Sequence, residues 1–98
     1  MNEHWIDKSV IYHLYPLGAL DAPPSNDGVS PPADRIEALD GWLDRAVELG
    51  ADTILLGPVF ESGTHGYDTK DYFHIDRRLG SDEAFEAWTK RVRARGLR

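Results

Sequence analysis

The chain has 98 residues, enough for one domain with a modest core, and its 41% hydrophobic content excludes a disordered protein. It contains no cysteine, which excludes disulfides, thiolate metal ligands and a cysteine nucleophile. Its net charge of −6 disfavours a nucleic-acid partner, because that binding depends on clustered Lys and Arg.

The N-terminal residues 1–10, MNEHWIDKSV, show no basic start followed by an apolar run, so the sequence predicts no signal peptide. No apolar segment reaches the roughly 20 residues that are needed to span a bilayer. We therefore expect a cytoplasmic protein without a membrane partner.

The first predicted element is a strand over residues 9–15, SVIYHLY. Its β-branched and aromatic side chains follow one another almost without interruption, a pattern typical of a strand buried on both faces. Pro16 ends this strand. Residues 17–30 contain glycine, proline, asparagine and aspartate, which predicts a loop.

Three polar residues of this loop could contribute to a calcium site: Asp21, Asn26 and Asp27. They match no complete calcium-binding pattern. We interpret them as turn residues, because Asp and Asn side chains commonly bond to the neighbouring backbone.

The first predicted helix covers residues 31–49. Ser30 supplies a hydroxyl that can cap the helix, and Pro31 stands where no backbone donor is needed. Gly50 is placed to end the helix in the left-handed conformation. Apolar residues recur between them at helical spacing: Ile36, Leu39, Leu43, Ala46, Val47 and Leu49.

A second strand is predicted at residues 53–56, TILL, and a second helix is predicted from Ser81 to Gly96. Acidic residues open this helix and basic residues close it, as the helix dipole favours. Its predicted buried stripe contains Phe85, Trp88 and Val92.

The basic segment KRVRARGLR, residues 90–98, has two interpretations. It could be a nucleic-acid patch, or the solvated end of the second helix, where positive charge complements the helix dipole. We favour the helix end and expect no nucleic-acid partner.

The order strand, helix, strand, helix predicts an α/β fold with two parallel strands. In such folds ligands bind at the carboxyl ends of the strands. The irregular segments 16–30 and 57–79 both follow a strand at that edge, and the second is expected to contain a short extended piece around residues 72–75. A loop of some twenty residues is uncommon unless it is functional. We therefore expect a binding site in residues 57–79.

The centre of this second segment is HGYDTKDYFHID, residues 65–76. Its two histidines lack a tight metal-ligand spacing, so we predict no metal. Its carboxylates, Asp68, Asp71 and Asp76, could work as a catalytic pair or could bond to the backbone of turns. The sequence leaves both possibilities open.

The aromatic residues of this segment also differ in their predicted roles. Tyr72 and Phe73 are interpreted as core anchors. Tyr67 lies between His65 and Asp68, and a flat apolar ring flanked by hydrogen-bonding groups suits a sugar.

Three stretches together resemble the N-terminal part of the α-amylase family of retaining glycoside hydrolases: VIYHLYPLGAL at 10–20, LGADTILLGPVFES at 49–62 and HGYDTKDYFHIDRRLGS at 65–81. The similarity is to cyclomaltodextrinase-like and maltogenic-amylase-like members. It implies a (β/α)8 TIM barrel of which this chain matches the first two βα units.

The resemblance also implies roles for individual residues. Tyr67 corresponds to a tyrosine that stacks under the glucosyl unit at the cleavage subsite, His65 to a histidine that hydrogen-bonds this sugar, and Asp68 to a member of the same network. Asp71 and Tyr72 match positions that brace the loop. The implied substrates are α-linked glucans, with no cofactor.

The family's two catalytic carboxylates belong to later strands, so the resemblance implies no catalytic residue in this chain. We expect residues 1–98 to be a single partial domain, inactive alone, that binds α-glucan weakly at most. We expect its two-stranded sheet to be completed by a homo-oligomer, such as a tetramer, or by the remaining barrel. A non-catalytic self-assembling module and a fragment active only with the rest of the barrel are the alternatives.

Overall fold

A computed structural model describes residues 4–98 and contains a parallel sheet, a β-hairpin and helices around one core. The strands are β1 (Ile11–Leu14), β2 (Thr53–Leu56), β3 (Phe60–Ser62) and β4 (Thr69–Ile75). The helices are α1 (Pro16–Ala19), α2 (Asp40–Glu48) and α3 (Asp82–Ala94), and 3-10 turns lie at Trp5–Lys8 and Ile36–Leu39.

The predicted pair of parallel strands is confirmed. β1 and β2 pair in parallel, with Ile11 opposite Thr53 and Leu14 opposite Leu56. Beyond the ladder, the N–H of Gly57 still donates to the carbonyl of Leu14 at 2.8 Å. This bond holds the start of the second irregular segment beside the end of β1.

The expectation that the first strand is buried on both faces is wrong. Tyr12 and Leu14 of β1 face the helices and the core. On the opposite face, Ile11 is 43% exposed and Leu55 is 53% exposed. The continuous apolar pattern is real, but among residues 4–98 this second face is left largely exposed at Ile11 and Leu55, and only Thr53 on it is buried.

The predicted start of the first helix is also wrong, because α2 begins ten residues after Ser30. The Ser30 hydroxyl bonds to the side chain of Asp27 and caps no helix. The N–H of Ala33 donates to the carbonyl of Arg77 at 2.7 Å, so the backbone of this stretch pairs with the segment before α3. The predicted C-terminal end is confirmed, since Gly50 has a φ of 83°.

The second helix, α3, follows its prediction closely. The Ser81 hydroxyl accepts a hydrogen bond from the N–H of Ala84 at 3.1 Å. Trp88 and Val92 are buried, and Phe85 is partly buried against them. The helix packs with α2 and the preceding 3-10 turn into a core that contains Ile36, Leu39, Leu43, Leu79 and Leu97.

The basic segment at the end of α3 is largely paired. Arg91 lies 2.9 Å from Asp40, and Arg95 lies 3.0 Å from Asp44, so two of its arginines bridge to α2. The guanidinium of Arg98 lies 5.0 Å from the centre of the Trp5 ring. These contacts agree with the interpretation as a helix end.

The second irregular segment, residues 57–79, contains a β-hairpin of β3 and β4, which is more regular structure than the sequence predicts. The sequence indicates an extended piece at residues 72–75, and the observed strand β4 is longer. β3 escapes prediction because three residues are too short to show alternation. Register irregularities flank Glu61, so the hairpin is bent.

No helix in residues 4–98 is long and apolar enough to cross a bilayer. The predicted lack of a signal peptide rests partly on residues 1–3, which lie outside the described residues. The cytoplasmic location stays a prediction.

Candidate functional site

Residues 63–68 connect β3 to β4 and are called the hairpin loop below. β3 begins four residues after β2 ends, so the hairpin rises from the carboxyl edge of the parallel sheet. The predicted substrate-binding residues His65, Tyr67 and Asp68 therefore lie together at the edge where a ligand is expected.

Tyr67 is largely open to solvent, with 73% of its surface exposed. Its N–H donates to Nδ1 of His65 at 3.1 Å, and the two ring centres are 6.0 Å apart. The histidine and tyrosine side chains thus stand next to each other and form one surface.

The Tyr67 ring also borders a groove of about 450 Å³ at the end of the parallel sheet. The groove is lined by His13, Leu56, Gly57, Pro58, Val59, Phe60 and Tyr67. Its walls combine apolar surface with the imidazole of His13 and the phenol of Tyr67. Such a mixture can accept a ligand that has both apolar faces and hydroxyls.

The Asp68 side chain stabilises the hairpin loop through hydrogen bonds within it. Its carboxylate accepts hydrogen bonds from the Thr64 hydroxyl at 2.9 Å and from the Gly66 N–H at 3.3 Å. Loss of hydration raises the pKa of Asp68, but these hydrogen bonds outweigh it and lower the pKa to about 2. Asp68 is therefore ionised at neutral pH, and it lies 3.7 Å from Nδ1 of His65.

Gly66 lets the hairpin loop approach Pro58, two residues after β2, closely. It is buried and has a φ of 98°, which L side chains rarely adopt. A Cβ at this position would lie 2.8 Å from the Cβ of Pro58. The loop thus needs glycine here to lie over Pro58.

Asp71 and Tyr72, the predicted bracing residues, lie on β4. Asp71 accepts the N–H of Phe73 at 2.8 Å and contacts Nδ1 of His74 at 2.7 Å. Their hydrogen bond raises the pKa of His74 and lowers the pKa of Asp71. Tyr72 is 68% exposed, and its ring meets that of Phe60 edge-on at 5.7 Å. Both sets of contacts remain within the hairpin, and the bracing role stays a prediction.

The solvent exposure of Tyr72 and Phe73 on β4 shows whether these two aromatic residues belong to the core. The sequence predicts Tyr72 and Phe73 as core anchors. Phe73 is 90% exposed and Tyr72 is largely exposed, so in this chain neither belongs to the core.

Asp76 is fully buried beside Arg78, which is 5% exposed. The Asp76 carboxylate accepts from the Arg78 guanidinium at 2.9–3.0 Å and from the N–H and hydroxyl of Ser62 at 3.1 Å. Burial raises the pKa of Asp76, but the bonds from Arg78 and Ser62 outweigh it and lower the pKa. The guanidinium also donates to the carbonyl of Pro23 at 2.8 Å. This carboxylate joins segments and faces no solvent.

The polar residues of the first segment are turn residues, as the sequence indicates. Asp27 accepts the N–H groups of Val29 and Ser30, and these bonds with the Ser30 hydroxyl lower its pKa to about 2. Asn26 accepts the N–H of Gly28 at 3.0 Å and also joins the hairpin, donating to the carbonyl of Ser62 at 2.8 Å. Among residues 4–98, no group of three His, Asp or Glu side chains could hold a metal ion.

Sequence reasoning missed two supports of the site. The first is Tyr15, whose hydroxyl donates to the carbonyl of His65. The second is Arg78, which was not singled out although it lies two residues from Asp76. Their partners lie up to 55 residues away in the chain, so no local pattern could have shown them.

Comparison with known proteins defines the class. The family model of the alpha-amylase catalytic domain matches residues 38–98 of the sequence. The cyclic alpha-maltosyl-(1→6)-maltose hydrolase of Arthrobacter globiformis superposes with a TM-score of 0.74 at 37% identity. That alignment covers 96% of this chain and 24% of the hydrolase.

Two curated relatives agree with this match. The oligo-1,6-glucosidase of Heyndrickxia coagulans is 31% identical over 96% of this chain and 16% of its own length. The cyclomaltodextrinase of Geobacillus thermopakistaniensis is 28% identical over 96% of this chain and 18% of its own length.

The fold is that of two βα units of a TIM barrel, as predicted, and the chain belongs to the α-amylase family. It spans less than a quarter of the length of each of these relatives.

Proposed function

We propose that this chain is part of a glycosidase that acts on α-linked glucans, and that the hairpin loop forms one wall of its glucosyl-binding site. One observation carries the proposal: at the carboxyl edge of the parallel sheet an exposed tyrosine ring stands beside His65, and the His65 imidazole lies 3.7 Å from the Asp68 carboxylate. The names of the family relatives agree with a carbohydrate substrate.

The chemistry of the three side chains suits a hexose. The face of Tyr67 offers an apolar platform for the C–H face of a sugar ring. Because Nδ1 of His65 accepts the Tyr67 N–H, the neutral imidazole carries its proton on Nε2 and can donate to a hydroxyl. Asp68, ionised at neutral pH, can accept a hydrogen bond from another hydroxyl.

The carboxylates of the second irregular segment hold structure in this proposal and do not react. Retaining glycosidases need two carboxylates about 5–5.5 Å apart, one as nucleophile and one as acid/base. Asp68, Asp71 and Asp76 are each engaged by neighbouring hydrogen-bond donors. We therefore propose that the 98-residue chain does not hydrolyse glycosidic bonds by itself.

Saturation-transfer NMR with maltotriose tests the binding site. We expect saturation of the sugar protons by the wild-type chain and its loss in Tyr67→Ala. Phe73→Ala is the matched control, because it removes an even more exposed aromatic ring from the same hairpin. Equal transfer in Tyr67→Ala and Phe73→Ala would refute the site. Turnover of maltotriose by the purified chain would separately refute the lack of catalysis.

A self-assembling structural module is the second candidate. The apolar side chains of Ile11 and Leu55 are exposed on one face of the parallel sheet, and leaving such surface in water is unfavourable. Copies of the chain could cover this face for one another, as in a barrel-like tetramer. Light scattering distinguishes the two cases, since a folded monomer at micromolar concentration excludes the module.

A further inference from the structure

A polar pocket of about 280 Å³ lies between residues 23–35 and the segment before α3. Three of the residues that line it are arginines, Arg35, Arg77 and Arg78, whereas one is a carboxylate, Asp27. Among the described residues, none of the hairpin loop lines this pocket. The pocket is therefore separate from the proposed sugar-binding surface.

Two of the three arginines already have carboxylate partners. The Arg78 guanidinium lies 2.9 Å from the buried carboxylate of Asp76. Nε of Arg77 lies 2.8 Å from the carboxylate of Glu61, and its Nη1 donates to the carbonyl of Ser30 at 3.2 Å. Within residues 4–98, Nη2 of Arg77 has no partner. Arg77 therefore contributes one free donor to the pocket.

Arg35 differs from both, because it pairs with no carboxylate in the described part of the chain. Its side chain is half-buried, and its Nη1 donates to the carbonyl of Arg78 at 3.0 Å. This bond leaves Nε–H and Nη2–H free, and these two groups form a parallel fork that fits two oxygens of one anion. A half-buried charge without a counter-ion is unfavourable, so an anion from solution would stabilise Arg35.

The Asp27 carboxylate serves its own turn and not Arg35. It bonds to the Ser30 hydroxyl and accepts the N–H groups of Ser30 and Val29 at 2.8 and 2.9 Å. These bonds lower the pKa of Asp27 to about 2, so it is ionised at neutral pH. Its charge opposes an anion in the same pocket, and removing that charge should strengthen anion binding.

The free donors favour a phosphate group over a carboxylate. Besides the fork of Arg35, Nη2 of Arg77 and the hydroxyl of Ser25 belong to the lining residues and have no partner among the described residues. A carboxylate has two oxygens, which the fork alone engages. A phosphate group has further oxygens that can accept from the remaining donors.

We propose that this pocket is a phosphate-binding site in which the fork of Arg35 makes the main contact. The phosphate group can belong to inorganic phosphate or to a phosphorylated small molecule, since the donors recognise the same oxygens in both. The proposal does not depend on the proposed function, because it uses none of the sugar-binding residues.

NMR titration of the full chain with inorganic phosphate tests the site. The buffer is free of phosphate, and sodium chloride keeps the ionic strength constant so that general screening does not change. We expect the Arg35 Nε–H signal and the backbone amides of residues 25–30 to shift and to saturate. Glucose 6-phosphate should give the same shifts, and glucose should give none. Equal affinities would identify the ion itself as the ligand, and tighter binding of glucose 6-phosphate would identify a phosphorylated sugar; either supports the site.

Three variants locate the anion. Arg35→Gln removes the fork and its charge, and we expect it to weaken phosphate binding by at least about tenfold. Arg45→Gln is the matched control, because it removes the same charge from an exposed arginine of α2 and should leave the affinity unchanged. Asp27→Asn keeps an acceptor for the turn but removes the opposing charge, so binding should strengthen roughly two- to fivefold.

Several results would overturn the proposal. Shifts that grow without saturation, or equal affinities of Arg35→Gln and Arg45→Gln, would exclude the site. Unchanged affinity in Asp27→Asn would show that the anion binds elsewhere, and this variant decides even where Arg35→Gln fails to fold. Acetate that binds as tightly as phosphate would overturn the assignment to a phosphate group.

Discussion

The hydroxyl of Tyr15, directly after β1, donates a hydrogen bond to the main-chain carbonyl of His65 in the hairpin loop. The bond joins two segments that are 50 residues apart. It holds the backbone of the loop and leaves the imidazole of His65 free of this restraint. Tyr15 is thereby a positioning residue for the proposed sugar-binding surface.

We expect Tyr15→Phe to weaken maltotriose binding while the fold persists. Loss of one such hydrogen bond costs about 1 kcal/mol, which corresponds to roughly a fivefold change in an equilibrium. NMR chemical-shift titration gives the affinity, and the backbone shifts of residues 63–68 report the loop. Tyr12→Phe is the control, because its hydroxyl has no hydrogen-bond partner among the described residues. Identical affinities in the two variants would remove Tyr15 from the site.

Gly66→Ala is expected to destabilise the hairpin by more than about 1 kcal/mol, because alanine does not fit the left-handed backbone or the space over Pro58. Gly41→Ala is the matched control in α2, where a Cβ meets open space. It should stabilise the chain by about 0.5–1 kcal/mol. Urea unfolding measures both. A neutral effect of Gly66→Ala would show that the hairpin loop can move away from Pro58.

Asp76→Ala is expected to lower the free energy of unfolding by about 3–5 kcal/mol, because it leaves the buried guanidinium of Arg78 unpaired. The double variant Asp76→Ala/Arg78→Ala should lose less than the sum of the single variants. Asp71→Ala removes an accessible carboxylate and should have a much smaller effect. Additive losses from Asp76 and Arg78 in urea unfolding would contradict their coupling.

The pair of His74 and Asp71 predicts a pH dependence. The hydrogen bond to the Asp71 carboxylate and its charge, with the charges of Asp82 and Glu61, raise the pKa of His74 above 6.5. The resulting stabilisation is complete below pH 6.5 and is lost as the pH rises through the folded pKa of His74. Asp71, whose pKa is lowered from 3.8, adds stability above that value and loses it toward lower pH.

NMR titration of the His74 imidazole checks this prediction. We expect Asp71→Asn to bring the midpoint down toward 6.5, because the largest cause of the raised pKa is gone. Asp44→Asn removes an equal charge from α2 and should leave the midpoint unchanged. A midpoint that does not respond to Asp71→Asn would assign the raised pKa to another group.

Elements with local signals were predictable. β2 appears where predicted, and α3 begins directly after its cap Ser81, because its cap and its apolar stripe lie within one short segment. The helix start at Ser30 failed for a nonlocal reason. Its side chain binds Asp27, and the following backbone pairs with Arg77, so tertiary contacts replace the first turns of a helix.

In the candidate site, too, the residues that are neighbours in sequence were predictable and the supports from distant segments were not. His65, Tyr67 and Asp68 come together because they are neighbours in sequence on one tight loop. The supports from Tyr15 and Arg78 depend on chain segments that meet only in the folded state. A single sequence carries no pattern that pairs residues across such distances.

The buried contacts of Arg78 with Pro23, Ser62 and Asp76 have a consequence for protein engineering. Transplanting the hairpin loop alone onto another barrel would leave these contacts behind, together with the bond from Asn26. The smallest graft expected to keep its shape combines residues 15–35 with residues 57–80. Exchange of specificity between barrels by this surface thus requires two segments to be transferred at once.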